Sequence, residues 1–275
     1  MQIQWFPGHM GLTYKQIEDQ RNRADVFLEL LDARAPATTR NPLLHQLIGD
    51  KPRVIILTKM DLAEVAVTAR WKQVLEQAPN TRVVLVSAKE RQNLGMISQT
   101  CQELLRSLKG PLKGSLSAMI VGVPNVGKSS LINALSHANK APVAPKPGHT
   151  KGLKKIRLSD EFELIDTPGM LWHKFDDEVT GERLAMLGSI KDDVFDFHAI
   201  CLITIDFLKS RYPAALMGRY KLESLEAHAP DILESIARKR GFLTKGGGID
   251  IERACTNLMN DFRSGAMGRI SLEEA

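Results

Sequence analysis

The sequence predicts a mostly parallel α/β sheet flanked by helices, followed by an all-helical C-terminal region. Two patterns carry that expectation. Up to Gly188, short apolar runs rich in β-branched residues alternate with amphipathic stretches. Beyond Gly188 no strand-like run is convincing and helical spacing dominates, as expected for an α/β domain joined to a helical one. The expected division is residues 1–188 and residues 189–275.

The elements follow in order. Val26–Asp32 reads as a buried strand, then a loop with Pro36 and Pro42 and a short helix near Leu43–Ile48. Arg53–Leu57 is a continuous apolar run, the mark of a strand covered on both faces. A helix is expected from about Ala63 to Gln77, a strand over Val83–Val86 and a helix over Leu94–Leu108. Gly110, Pro111 and Gly114 mark a connector. Leu116–Val121 is a strand that runs into a glycine-rich turn, and a helix follows from Lys128 to about His137. The Pro/Gly/Lys-rich stretch Ala141–Gly152 is too broken for regular structure. Ile156–Leu158 and Phe162–Ile165 read as two short strands meeting at Ser159-Asp160. Later helical patterns cover Leu184–Ile190, Phe195–Ser210, Pro213–Leu216, Ile232–Arg240 and Ile249–Phe262.

Composition narrows the class. The 275 residues are 43% hydrophobic and 25% charged, ordinary globular usage. No apolar run approaches the roughly 18 residues of a membrane span, so no membrane partner is expected. The first residues lack the basic and apolar regions of a signal peptide. Cys101, Cys201 and Cys255 are few and scattered, which suggests neither a disulfide framework nor a metal knuckle. A reducing cytoplasm and a monomer are expected. The net charge is +5. Residues 189–275 hold twelve Lys/Arg against thirteen Asp/Glu, so the basic excess lies entirely in residues 1–188. A polyanionic partner is permitted but not required.

Three motifs carry chemistry. Gly122-Val123-Pro124-Asn125-Val126-Gly127-Lys128-Ser129 matches G-x-x-x-x-G-K-[ST], with a strand entering and a helix leaving. The loop Pro124 through Ser130 would wrap phosphates with the backbone N–H groups that follow Pro124, helped by the helix dipole. Lys128 would reach the β- and γ-phosphates and Ser129 would ligate Mg²⁺. Thr58-Lys59-Met60-Asp61, at a strand end, resembles the [NT]-K-x-D guanine box. A carboxylate at Asp61 accepts from guanine N1 and its exocyclic amine, whereas adenine offers neither donor there; such a site discriminates on the order of 10⁴-fold. Ser87-Ala88-Lys89, also at a strand end, would read guanine O6 through a backbone N–H. Asp166-Thr167-Pro168-Gly169 completes the set: Asp166 would hold Mg²⁺ through water and the Gly169 N–H would sense the γ-phosphate. Thr150 is the expected switch threonine and a further Mg²⁺ ligand. GTP and GDP are the implied ligands. A P-loop kinase or ATPase fits poorly with the guanine box.

The motif order is rearranged. In ordinary GTPases the phosphate loop comes first; here the guanine box and its companion precede it. Each βα unit still delivers its loop to one edge of the sheet, so the same site can assemble. The stretch after Gly169 then leads directly into the helical region.

On these motifs, together with Trp5-Phe6-Pro7-Gly8-His9-Met10, Asp32-Ala33-Arg34-Ala35-Pro36, Arg40-Asn41-Pro42, Gly246-Gly247-Gly248 and Asp261-Phe262-Arg263-Ser264-Gly265, the chain resembles the circularly permuted ribosome biogenesis GTPase A family over nearly its whole length. The resemblance implies a cytoplasmic GTPase of late large-subunit assembly, stimulated by the ribosomal particle, with a C-terminal helical domain that contacts rRNA. The alternative is a permuted GTPase serving another RNA or protein target, such as the small subunit.

Where many GTPases place a water-orienting Gln after DxxG, this chain has Met170, which cannot orient water by hydrogen bonding. The resemblance favours His9 as the catalytic group. Asn125 resembles the Asn with which related GTPases hold a K⁺ ion near the phosphates. For RNA, the candidates are Arg238, Lys239, Arg240 and Arg263. The bland alternative for 238–240 is a set of solvated cations complementing a helix dipole.

Overall fold

The computed structural model describes residues 9–111, 114–138, 153–175 and 177–275. A six-stranded sheet has the order β3-β2-β1-β4-β6-β5, with β1 Val26–Asp32, β2 Arg53–Thr58, β3 Thr81–Leu85, β4 Leu116–Gly122, β5 Lys154–Ser159 and β6 Phe162–Asp166. All neighbouring strands are parallel except the β5/β6 hairpin at the edge. Strands β1, β2 and β4 are buried at every position, the mark of a parallel sheet covered on both faces. Edge strand β5 is mostly exposed.

Helices α2 Pro36–Thr39, α3 Pro42–Ile48, α4 Val65–Leu75, α5 Leu94–Lys109 and α6 Lys128–Ala138 form the connections. Local chemistry sets their ends. Asn41 caps α3, its side chain accepting from Leu43 N and Leu44 N, while Pro42 occupies the first turn, where a missing N–H costs nothing. α5 buries Leu94, Ile97, Cys101, Leu104 and Leu105 on one stripe and stops at Gly110, whose φ is +78°. The sequence reading of α3 to α6 holds to within two residues at each end, whereas α2 stands in a stretch expected as a loop, its first turn opened by Pro36. The sequence pattern does not announce a further helix, α1 His9–Gln20: among its described side chains only Met10, Thr13 and Ile17 are buried, while Leu12 is exposed.

The helical region comprises α7 Glu178–Met186, α8 Phe197–Arg211, α9 Pro213–Tyr220, α10 Ala229–Arg240 and α11 Ile251–Ser264. The pattern expected over Leu184–Ile190 is a helix placed earlier; α7 ends at Met186 because Gly188 turns the chain with φ +73°. Asp250 caps α11 by accepting from Arg253 N at 3.0 Å, and this helix buries Ala254, Cys255, Leu258, Met259 and Phe262. A single isolated bridge, Leu243 to Ile249, closes the glycine-containing turn between α10 and α11.

The compact units divide differently from the expected 188/189 boundary. The sheet unit runs to Lys174 and takes up Ser271–Ala275, and the helical unit holds Phe175–Ile270. α7 belongs with the helical unit because it packs on α8. The last residues return to the sheet unit through specific bonds. Leu272, 3% exposed, donates its N–H to Arg34 O at 2.7 Å. Ser271 Oγ accepts from Glu64 N at 3.1 Å. The Glu273 carboxylate caps α2, accepting from Ala37 N, Thr38 N and the Thr38 hydroxyl.

Candidate functional site

Parallel strands that share one direction deliver their carboxyl ends to one edge, and the three motifs stand there. Register fixes their order: Asp32 pairs with Thr58 across β1/β2, Leu57 with Leu85 across β2/β3, and Ile120 with Asp166 across β4/β6. The guanine-type loops after β2 and β3 therefore lie on one side and the Asp166 loop on the other, with the phosphate loop after β4 beyond Asp32.

The phosphate loop begins at a glycine packed too closely for a side chain. A Cβ on Gly122 would lie 2.8 Å from the Leu30 carbonyl oxygen, so only glycine lets β1 and β4 approach this closely. Asn125 adopts a left-handed φ of +56°, which Asn tolerates better than most residues. Lys128 Nζ donates to the carbonyls of Gly122 and Val123 at 2.9 and 2.8 Å. Burial pushes its ammonium down to about 8, against the pull of the Asp166 carboxylate. Val126 is buried, Pro124 and Ser129 are half-buried, and Asn125 and Ser130 are exposed.

The guanine box is tied directly to this loop. The Thr58 hydroxyl lies 2.6 Å from Val126 O and 3.0 Å from Leu31 O. Lys59, left-handed at φ +55°, donates from Nζ to Asn125 O at 2.9 Å and to Asp32 Oδ2 at 2.8 Å. Asp32 in turn accepts from Arg34 Nε and Nη2 at 2.9 and 2.8 Å. Burial would raise the Asp32 carboxyl, but Arg34 and Lys59 outweigh it and hold it well below its ordinary value. For Lys59 burial lowers the pKa, and the Asp32 charge opposes that. Asp61 sits in a 3₁₀ turn, Met60–Leu62, half-buried, with no hydrogen bond or ion pair to another described residue. Its carboxylate is thus available to a ligand.

The companion loop joins the same place. Met60 N donates to Val86 O at 3.2 Å. Ser87 is fully buried and its Oγ accepts from Glu90 N at 3.0 Å, which folds the turn that presents Ala88 and exposed Lys89. Asn93 braces the loop, its Nδ2 donating to Leu85 O at 2.9 Å.

On the other side, Asp166 is 6% exposed at the end of β6, and the Thr167 hydroxyl donates to Ile120 O at 2.7 Å. A Cβ on Gly169 would meet Pro124 Cα at 2.8 Å and Lys128 Nζ at 3.1 Å, so this glycine lies directly on the phosphate loop. Met170 and Leu171 are both fully buried, and neither side chain can hydrogen-bond a water at the position where many GTPases carry Gln. The Ser129 hydroxyl and Asp166 carboxylate are hard oxygen donors on adjacent elements, the donor type Mg²⁺ takes alongside phosphate and water oxygens. Among the described residues no group of three His, Cys, Asp or Glu forms a separate metal cage. Thr150 lies outside the described residues; His9 opens α1, but its side chain is not described.

The RNA candidates stand in the helical unit and are committed to very different degrees. Arg263 Nη1 and Nη2 bind Asp192 at 2.8 and 2.7 Å, while Nε and Nη2 donate to the carbonyls of Met186 and Ala185 at the end of α7. It therefore finishes α7 and is largely occupied, a role the sequence alone did not suggest. Arg240 lies 5.2 Å from the Tyr220 ring centroid and near Asp261, which also accepts from Arg219 and the Tyr220 hydroxyl. Lys239 donates to Lys221 O and Glu223. Arg238 is the most exposed of the three, paired with Glu234 along the helix.

Fold and site together define a P-loop GTPase whose T-K-x-D and S-A-K loops precede its phosphate loop along the chain. A family model described as 50S ribosome-binding GTPase matches residues 117–229. The chain is 36% identical to ribosome biogenesis GTPase A of Bacillus licheniformis, over 100% of this chain and 99% of that protein. Among solved structures it is similar to the GDP-bound structure of TM YlqF, with a TM-score of 0.68 and 27% identity over 94% of this chain and 98% of that one. The GNP-bound YlqF from T. maritima gives a TM-score of 0.64 at 27% identity, over 94% and 97%. The chain belongs to the ribosome biogenesis GTPase A family, and it hydrolyses GTP.

Proposed function

We propose that this GTPase binds a precursor of the large ribosomal subunit and promotes its late maturation, hydrolysing GTP when the particle stimulates it. The observation that carries this reading is the full-length match to ribosome biogenesis GTPase A, joined to a family model described as 50S ribosome-binding. The nucleotide site supports a switch. Asp61, Thr58, Lys59 and the Ser87–Lys89 turn take the guanine; Pro124–Ser130 and Gly169 take the phosphates. Ser129, Asp166 and Thr150 hold Mg²⁺, which when bound neutralises charge on the β- and γ-phosphates. Lys128, already partly desolvated by its surroundings, gains a strong partner when a phosphate oxygen replaces the two loop carbonyls.

In this reading the helical unit supplies the RNA contact through Arg238, Lys239 and Arg240; Arg263 is left out because Asp192 and the α7 carbonyls occupy it. Co-sedimentation is the direct test. With a non-hydrolysable GTP analogue the protein is expected to pellet with large-subunit precursors and not with small-subunit ones. Pelleting with the small subunit, or with neither, would overturn this target.

Hydrolysis needs a group that buried Met170 cannot supply. In this proposal His9 orients the water, and Asn125 helps hold a K⁺ ion in the position of an arginine finger. One assay addresses both. His9→Ala is expected to keep GDP affinity within about twofold but lower particle-stimulated turnover by about 10²-fold, the scale of one general-base contribution. Replacing K⁺ with Na⁺ at constant ionic strength is expected to slow wild-type turnover. A wild-type rate in either arm removes the corresponding group from the mechanism.

A further inference from the structure

Asn41, 1% exposed, uses both ends of its side-chain amide. Oδ1 caps α3, accepting from Leu43 N at 2.9 Å. Nδ2 donates to the carbonyl oxygen of Met170 at 2.8 Å. The Met170 N–H meanwhile donates to Gly122 O at 3.2 Å. The residue that follows Gly169 is therefore held at both of its backbone polar groups, one by the first carbonyl of the phosphate loop and one by Asn41. Gly169 itself rests against Pro124. Of these constraints, the Asn41 amide is the one made by a side chain from outside both motifs.

A glycine peptide has wide torsional freedom, so the direction of its N–H is set by what holds its neighbours. Donors aimed before the reaction are worth more than donors that must turn toward developing charge. From the two-ended bonding of Asn41 we infer that it is a positioning residue for GTP hydrolysis, fixing Met170 so that the Gly169 N–H points at the γ-phosphate. The inference rests on the reading of Gly169 as the γ-phosphate donor. It separates two nucleotides cleanly: GDP has no γ-phosphate, so its binding does not call on this peptide.

The two ends of the amide can be dissected. Asn41→Ser and Asn41→Asp each keep an oxygen that caps α3 but lose the donor to Met170. For both variants GDP affinity is expected to stay within about twofold of wild type. The preference for a non-hydrolysable triphosphate analogue over GDP is expected to fall about tenfold, the scale of one hydrogen bond. The single-turnover hydrolysis rate is expected to fall at least as far. Gly169→Ala is measured beside them. If it loses triphosphate preference while both Asn41 variants keep wild-type preference and rate, the role of Asn41 is overturned and that of Gly169 stands. If Gly169→Ala keeps that preference, the underlying reading fails and the inference with it. If GDP affinity and melting temperature fall in step with triphosphate affinity in both Asn41 variants, Asn41 is only a helix cap and the inference is overturned.

Discussion

Asp61→Asn is expected to lower GTP and GDP affinity by roughly 10³- to 10⁴-fold while creating affinity for xanthine nucleotides. The physical reason is a reversal of one donor–acceptor pair. A carboxylate accepts from both N1–H and the exocyclic amine of guanine; an amide presents one acceptor and one donor, and its donor faces that amine. Xanthine carries a carbonyl in place of the amine, which restores the match. A site that leaves a buried polar group unpaired discriminates by about 10⁴. The substitution suits the purpose because Asp61 makes no hydrogen bond or ion pair to another described residue, so the fold loses no bond with it. Competition of GDP and XDP against a fluorescent guanine nucleotide measures both halves. GDP affinity within about threefold of wild type would remove Asp61 from base recognition.

The second large effect is one of stability. Asp32→Ala takes a carboxylate away from Arg34, which is 2% exposed, and from Lys59. Breaking a buried ion pair from one side costs about 3–5 kcal/mol, and chemical denaturation should show a loss of that order. Asp32→Asn, which keeps shape and one acceptor, should lose less. Linkage supplies an independent check. The folded Asp32 carboxyl sits well below its ordinary value near 3.8 because Arg34 and Lys59 outweigh the effect of burial. A carboxylate depressed on folding contributes stability above its unfolded pKa and loses it as pH falls through the folded one. The stability gap between wild type and Asp32→Asn should therefore be constant near neutrality and shrink below about pH 4. A gap that stays constant to pH 2.5 would mean the carboxylate charge is not what holds the cluster.

Both predictions start from residues the sequence presents differently. Asp61 and Lys128 stand out as candidates in the sequence because each belongs to a short motif whose chemistry needs that residue at that spacing, with the strand ends readable around it. The sheet was legible for a similar reason: β1, β2 and β4 are nearly uninterrupted apolar runs. Asp32 and Asn41 could be noticed as motif members but not given tasks, since their partners Lys59 and Met170 come together only when β1 lies beside β2 and the chain returns after β6. Arg263 shows the converse. A cation near glycines looks available for phosphate until the fold delivers Asp192 and two helix-end carbonyls to it. Helix α1 has no pronounced sequence signal because Met10, Thr13 and Ile17, the buried positions among its described side chains, give too narrow a stripe to stand out.

The return of Ser271–Ala275 to the sheet unit alters what kind of object the helical unit is. It is an insert with two moorings in the same domain: one continues from the DxxG loop, the other ends on Arg34, one bond from Asp32 and two from Lys59. A tail fixed at one end swings freely about its linker. A loop fixed at both ends has given up part of that freedom in advance.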